Sequence, residues 1–182
     1  MERLKWLVFG YNLPTEPTRA RVSLWRRLKN LGAVNVKQSL WFLPFSDENY
    51  ASFQMGCEYV EKNGGVSLLL ESTALDDRGQ DAIVAIFNET RQAEYAELIG
   101  ECNEFLRKIE KEIADEELSF AEFEEEEARL EKLMSRYSTI VSRDIFSSPA
   151  RAKADHMIDE AKSAFKTYTD LVFANESQLR GD

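Results

Sequence analysis

Along the first half of the chain, short solid apolar runs alternate with amphipathic stretches. Residues 6–9, Trp-Leu-Val-Phe, are continuously apolar, the pattern of a strand covered on both faces. Tyr11, Asn12 and Leu13 extend the run and Pro14 ends it. Thr15 or Thr18 caps the helix that follows, with Pro17 in its first turn, where a missing N–H removes no bond. Val22, Trp25, Leu28 and Leu31 recur at three-residue steps beside Leu24 and predict an apolar stripe facing a sheet. Gly32 is placed to close the helix in the left-handed conformation. Residues 34–43 read as a second strand, stopped by Pro44. Ser46 caps a second helix with Asp47 and Glu48 in its first turn, favourable against the helix dipole. Tyr50, Phe53, Cys57 and Val60 are its expected buried side; Asn63-Gly64-Gly65 breaks it, and residues 66–70 form a third strand.

Strand, helix, strand, helix, strand is a ferredoxin-like order that lacks its last strand, which is left to another part of the chain or to a partner subunit. After Leu75 the pattern changes. Asp76-Asp77-Arg78-Gly79 reads as a turn, and residues 80–114 then keep a helical period through Ile83, Phe87, Leu98, Cys102, Phe105, Ile109 and Ile113. Such a helix is roughly 50 Å long at about 1.5 Å per residue. Ser119 and Glu122 form a capping box for a helix that runs to about Phe146, with Leu130, Leu133, Tyr137 and Ile140 inward. Ser148 as cap and Pro149 at the first position start a third helix, lined by Ala154, Met157, Ala161, Phe165, Tyr168 and Val172. The polar tail from Asn175 is expected to fray. The fold class is therefore α+β, with a ferredoxin-like domain over residues 1–75 and a bundle of long helices over residues 76–182.

Charge sharpens that division. The formal net charge is -10, yet residues 1–75 hold 9 Lys and Arg against 7 Asp and Glu, and the remainder holds 14 against 26. An acidic protein does not coat nucleic acid indiscriminately, but a local basic patch still acts, because charges are screened over roughly 8 Å at physiological ionic strength. The two cysteines, Cys57 and Cys102, form no C-x-x-C pair and read as reduced, buried thiols of a cytoplasmic protein. No apolar run approaches the roughly 20 residues of a membrane span, and none near the start has the length of a signal-peptide core.

Metal and nucleophile chemistry find little support. One His and two scattered Cys cannot build a four-ligand zinc site, and Lys153 stands where a Glu-x-x-His di-iron signature needs its carboxylate. His156, beside Asp155 and Asp159, reads as a surface residue of a helix. No Gly-x-Ser-x-Gly, Walker A or Rossmann glycine pattern occurs. The run 124–127, four glutamates, reads as a solvated helix face. No cofactor is expected. The basic helix is different: Arg19, Arg21, Arg26, Arg27 and Lys29 fall within three turns, with Lys37 on the next strand. Such a set contacts phosphates or a small oxyanion, because guanidinium groups offer paired donors to tetrahedral oxygens. It also suits an exposed face that pairs with the acidic helices.

These residues carry a resemblance to a known family. Residues 11–14 (YNLP), 16–19 (EPTR), Arg21-Val22, 25–28 (WRRL), 31–33 (LGA) and Leu43-Pro44 look like the N-terminal domain family of ChrB, the chromate-resistance regulator. Phe87-Asn88, Glu94-Tyr95, and Arg143-Asp144 with Phe146 resemble it further on. The resemblance implies a chromate-responsive regulator of a resistance operon, read here as non-enzymatic, with DNA, and chromate or another oxyanion, as ligands of the basic helix. A homodimer is expected separately, because the incomplete sheet leaves an edge strand that a partner chain can cover. Full-length members carry a further C-terminal chromate-resistance domain, and this chain stops before one. The alternative is a protein-interaction scaffold that touches no nucleic acid. The opening strand and helix are also similar to PaaX-type repressors and to small CRISPR spacer-acquisition nucleases. Asn12 stands where those nucleases hold a metal-binding Asp, and a neutral amide is a poor substitute for a carboxylate on Mg²⁺, so nuclease activity is not carried over.

Overall fold

The computed structural model describes residues 3–16, 18–37 and 39–179. It contains β1 (Lys5–Asn12), α1 (Thr18–Asn30), β2 (Val34–Lys37), β3 (Leu40–Pro44), α2 (Asp47–Lys62), β4 (Val66–Thr73), α3 (Asp77–Ala114), α4 (Phe120–Ser142) and α5 (Arg151–Leu179). The contacts divide the chain into two compact units. One is Met1–Thr90 with Arg143–Phe146, the other Arg91–Ser142 with Ser147–Asp182, so the division falls within α3 and not at its start near residue 75.

In the first unit the sheet is antiparallel throughout, in the order β2-β3-β1-β4. This is the full ferredoxin-like arrangement, and no strand is missing. The run read as one strand over residues 34–43 is a hairpin: Val34 pairs with Phe42, Asn35 with Trp41 and Lys37 with Leu40, with an irregularity between Asn35 and Lys37. The polar run Lys37-Gln38-Ser39 interrupts the apolar positions between Val36 and Leu40, and it is the one sequence signal for the turn.

Leu7, Phe9, Trp41 and Leu43 share one face of the sheet with the buried sides of α1 and α2 in a single core. The Phe9 ring lies 5.3 Å from that of Phe53, and Gly56 brings the α2 backbone over it. Gly56, not Tyr50, belongs to the buried stripe of α2, and Cys57 is half-buried. On the opposite face Trp6 packs on Phe87 and Phe146, at centroid distances of 5.8 and 5.9 Å. That contact draws residues 143–146 out of the expected end of α4, which stops at Ser142. Leu68 and Leu70, opposite Gly10 and Val8, remain exposed along the edge strand β4.

Caps set the element ends. The Ser46 hydroxyl accepts the Asn49 N–H at 3.1 Å, as its position implies. Gly32 has φ +79°, with Ala33 N–H donating to Leu28 O and Gly32 N–H to Lys29 O, a Schellman closure. A Cβ at Gly32 would stand 3.1 Å from the Arg143 Cβ. Gly32→Ala is therefore expected to cost about 1–2 kcal/mol in urea titrations, from the left-handed backbone and that crowding; an unchanged midpoint would show that the turn relaxes freely. Of the two expected caps, Thr18 is the first residue of α1, and the expectation for Pro17 lies outside the described residues. Asp76 and Gly79 do not form a free turn: Asp76 Oδ1 accepts the Gly79 N–H at 2.7 Å and so caps α3.

In the second unit, the buried residues Tyr95, Leu98, Cys102, Phe105 and Ile109 of α3 pack with Leu130, Leu133 and Ile140 of α4 and with Ala154, Ile158, Ala161, Tyr168 and Val172 of α5. Burial, with Glu101 nearby, pushes the Cys102 thiol up to about 11, which suits a free, inert cysteine. Ser119 Oγ accepts the Glu122 N–H at 3.4 Å and so caps α4 as read, but its hydroxyl donates to the Glu122 carboxylate, which therefore meets the side chain of Ser119 where a full capping box has its backbone N–H. Ser148 accepts the Ala150 N–H, and α5 begins one residue beyond, at Arg151. Its end does not fray at Asn175: the helix continues to Leu179, and the Asn175 amide donates to Leu118 O at 3.1 Å.

The glutamate run is not wholly solvated. Glu126 is 0% exposed, and its carboxylate lies 2.5 Å from the Lys108 ammonium, which also reaches Glu125 at 3.0 Å and the buried Glu112 at 3.3 Å. Those carboxylates, Glu126 foremost, raise the Lys108 pKa above its ordinary value. Glu126 falls in register with Phe123, Leu130 and Leu133 at steps of three and four, so helix geometry turns it inward whatever its charge. His156 is exposed on α5, as expected. Among the described residues no helix is long and apolar enough to cross a membrane, and no cluster of ligating side chains is arranged for a metal.

Candidate nucleic-acid interface on the first helix

Helix α1 buries Ala20, Leu24 and Leu28, a four-residue ladder, with Leu31 half-buried beyond it. Val22 and Trp25 therefore do not face the sheet, as three-residue spacing suggests, but are exposed. The reason is angular: at 3.6 residues per turn Val22 lies roughly 160° around the helix from Leu24, and Trp25 roughly 100°. Two apolar stripes were compatible with the sequence, and the one that meets Leu7, Phe9 and Phe53 won.

The outward face carries the cations. Arg19, Arg21, Arg26, Arg27 and Lys29 are all exposed, as is Lys37 on the edge strand β2. None of these six forms an ion pair among the described residues of the unit, so their charge is compensated there only by solvent and by π-faces. Arg27 stacks over the Tyr59 ring at 4.7 Å, and Lys29 over Trp25 at 4.7 Å. Either contact contributes about 0.5–1 kcal/mol at an exposed site. Arg143 Nη1 donates to the Lys29 carbonyl at 3.2 Å, adding a cation at the negative end of the helix.

Three hollows open along α1. The first, about 500 Å³, is lined by Tyr11, Thr18, Arg21, Val22, Trp25 and Arg26. In it the Tyr11 hydroxyl is raised by burial and pulled partly back by the Trp41 indole and Arg21. The second, about 580 Å³, is polar-rimmed by Arg19, Ser23, Arg26, Arg27 and Asn30. The third, about 360 Å³, is an apolar groove between α1 and α2 floored by Leu24, Leu28 and Gly56, with Met55 beside it.

The structure thus groups Arg21 with Arg26, and Arg19 with Arg26 and Arg27, around open hollows. Lys29 stands apart on Trp25, and Lys37 lines none of the three. Charge counting misses Trp25, Tyr11 and Thr18. A signal for Trp25 was present: Arg21, Trp25 and Lys29 are spaced by four, which puts them on successive turns of one face.

A family model described as "Protein ChrB, N-terminal" matches residues 21–179. Protein ChrB of Cupriavidus metallidurans is 31% identical over 96 residues, a stretch that makes up 53% of this chain and 29% of that protein's length. No solved structure matches the chain significantly. The matched range begins inside the basic helix and runs through the last one, and over that length the chain belongs to the ChrB N-terminal family.

Proposed function

We propose that this chain is a non-enzymatic regulatory protein linked to chromate resistance, which binds DNA through the outward face of α1. The observation that carries the reading is a helix whose five cations are exposed and free of ion pairs among the described residues of their unit, with the four arginines gathered around open hollows. An uncompensated cluster of this kind releases counterions from a polyanion on binding. Chromate or another oxyanion is the small ligand of the same arginines, since each guanidinium presents a planar fork of donors. Nothing in the stretch identifies base-reading residues for a duplex, so affinity comes mainly from phosphates. A cytoplasmic location accords with this role.

The test is DNA binding by the full chain as a function of salt. Each phosphate contact contributes about 0.9 to the slope of log K against log salt, so three or four contacts give about -3 per subunit. Arg19→Ala with Arg26→Ala is expected to reduce that magnitude by roughly 2 per subunit. These two side chains line the hollows without packing on a ring of their own, so the unit should remain folded. No binding at low salt, or an unchanged slope in the double variant, favours a protein-interaction scaffold instead.

A second copy is the expected partner. The sheet is complete, so a missing strand no longer argues for it. What supports it is the long edge of β4, with Val66, Leu68 and Leu70 exposed on one face. Sedimentation at micromolar concentration should give a dimer, and a 21.0 kDa monomer alone would overturn this. Mg²⁺- or Mn²⁺-dependent cleavage of DNA or RNA is not expected: Asn12, an amide at the exposed end of β1, offers no anionic ligand.

A further inference from the structure

Resting on the reading of α1 as a polyanion face, we infer that the hollow beside Trp25 holds an unpaired nucleobase. The base stacks on the Trp25 indole while Arg21 and Arg26 take the flanking phosphates. The ligand class is single-stranded nucleic acid, which gains a contact that duplex DNA cannot make.

The three tryptophans are treated very differently by the fold. Trp6 and Trp41 are 1% and 2% exposed, whereas Trp25 is 45% exposed, beside Arg21 and Arg26 on the outward face of α1. Folding has no need of it there, since Ala20, Leu24 and Leu28 already seat α1 in the core. Arg21 and Lys29 stand one turn before and one turn after it, and the Lys29 ammonium lies 4.7 Å from its ring centroid. A cation–aromatic–cation ladder matches the alternation of phosphate and base along a nucleic-acid strand.

The hollow has the composition a nucleotide needs. Tyr11 and Trp25 supply aromatic surface, Val22 an apolar wall, Thr18 a hydroxyl, and Arg21 and Arg26 the charge. Its volume of about 500 Å³ falls in the range of sites for small organic groups. Residues 18–30 contain no Asp or Glu, so nothing on the helix repels a phosphate. In a duplex both faces of each base are covered by neighbours, and only the phosphates remain for α1. An unpaired base has a free π-face, and such stacking is tolerant of sequence.

The experiment compares the full chain with Trp25→Ala and Trp25→Phe. The probes are an oligothymidine strand of about 20 nucleotides, the corresponding duplex, and inorganic polyphosphate as a polyanion without bases. Trp25→Ala is expected to weaken single-strand binding by roughly 5- to 100-fold, the range for losing one stacked base. Duplex and polyphosphate affinities should stay within about twofold, as their phosphate contacts are unchanged. Trp25→Phe keeps a ring and should restore most of the loss. In the wild-type chain the single strand should quench the exposed indole and shield it from acrylamide, and polyphosphate should not. Equal losses for all three probes, or none for the single strand, would overturn the stacking role while leaving the polyanion face intact. If none of the probes binds the wild-type chain, the polyanion face falls with it. Far-UV circular dichroism of both variants, expected to melt like the wild type, separates lost contact from lost fold.

Discussion

Lys108→Met should destabilise the helical unit by about 3–5 kcal/mol, the largest single effect expected from a charge on this protein. Lys108 is the shared counter-ion of Glu112, Glu125 and Glu126, and two of these carboxylates, Glu112 and Glu126, are buried. Arg129 approaches Glu126 only to 3.6 Å and cannot replace the closer ammonium. Removing the lysine leaves the buried Glu112 without this cation and Glu126 with Arg129 alone, which costs more than the pair itself contributes. Replacing Lys108, Glu112 and Glu126 together by Leu should bring stability back to within about 2 kcal/mol of the wild type, because an apolar core of similar volume avoids the desolvation of all three. Urea unfolding followed by far-UV circular dichroism measures both. A loss below about 1 kcal/mol for the single variant would mean that Glu126 reaches water.

The same network contributes to the pH response of this unit. The folded pKa of Lys108 is raised, chiefly by Glu126, so its contribution is complete below the unfolded value of about 10.4 and is lost as pH rises through the folded one. Glu125 is lowered, first by its hydrogen bond from Lys108, so its contribution is present above about 4.3 and is lost as pH falls. Stability from these two groups is therefore flat between about pH 5 and 10 and declines on either side.

Trp6→Ala should cost the α/β unit about 3–5 kcal/mol, the usual range for truncating a fully buried aromatic. The Trp6 ring joins β1 to Phe87 on α3 and to Phe146, whose own rings lie 5.2 Å apart. Its loss opens the side of the sheet away from α1 and α2 and should detach residues 143–146, visible as faster amide exchange there. Trp6→Phe should cost much less, about 1 kcal/mol, because the indole N–H has no hydrogen-bond partner among the described residues and its removal unburies nothing polar. Similar losses for the two variants would show that size, not aromatic packing, decides.

How far the sequence carried can be judged element by element. Helix ends were legible wherever a short-range chemical rule applied. Ser46, Gly32 and Ser119 all cap as read, because a cap involves residues within a turn of one another. The α+β class and the long helices were equally legible from periodicity. The basic helix, and with it the family, was visible in the residue types alone.

What local rules could not decide was everything that depends on a distant partner. The hairpin between β2 and β3 exists because Trp41 and Phe42 pair with β1 on one side and β2 on the other. Within residues 34–43 only the short polar run 37–39 hints at the turn, and it does not by itself say which strands pair. Residues 143–146 leave α4 because Trp6, far earlier in the chain, offers an aromatic surface. The register of α4 turns Glu126 inward, but it can stay there as a charge only because Lys108, on another helix, pairs with it, although composition assigns four consecutive glutamates to water. Trp25 points outward because the core beneath α1 is filled by the 20-24-28 ladder, and hydrophobicity alone gives no preference between that stripe and the other. Caps and periods are properties of neighbours along the chain and are written in it directly. Register, face and burial follow from minimising apolar surface and unpaired charge over the whole unit, and only tertiary packing determines them.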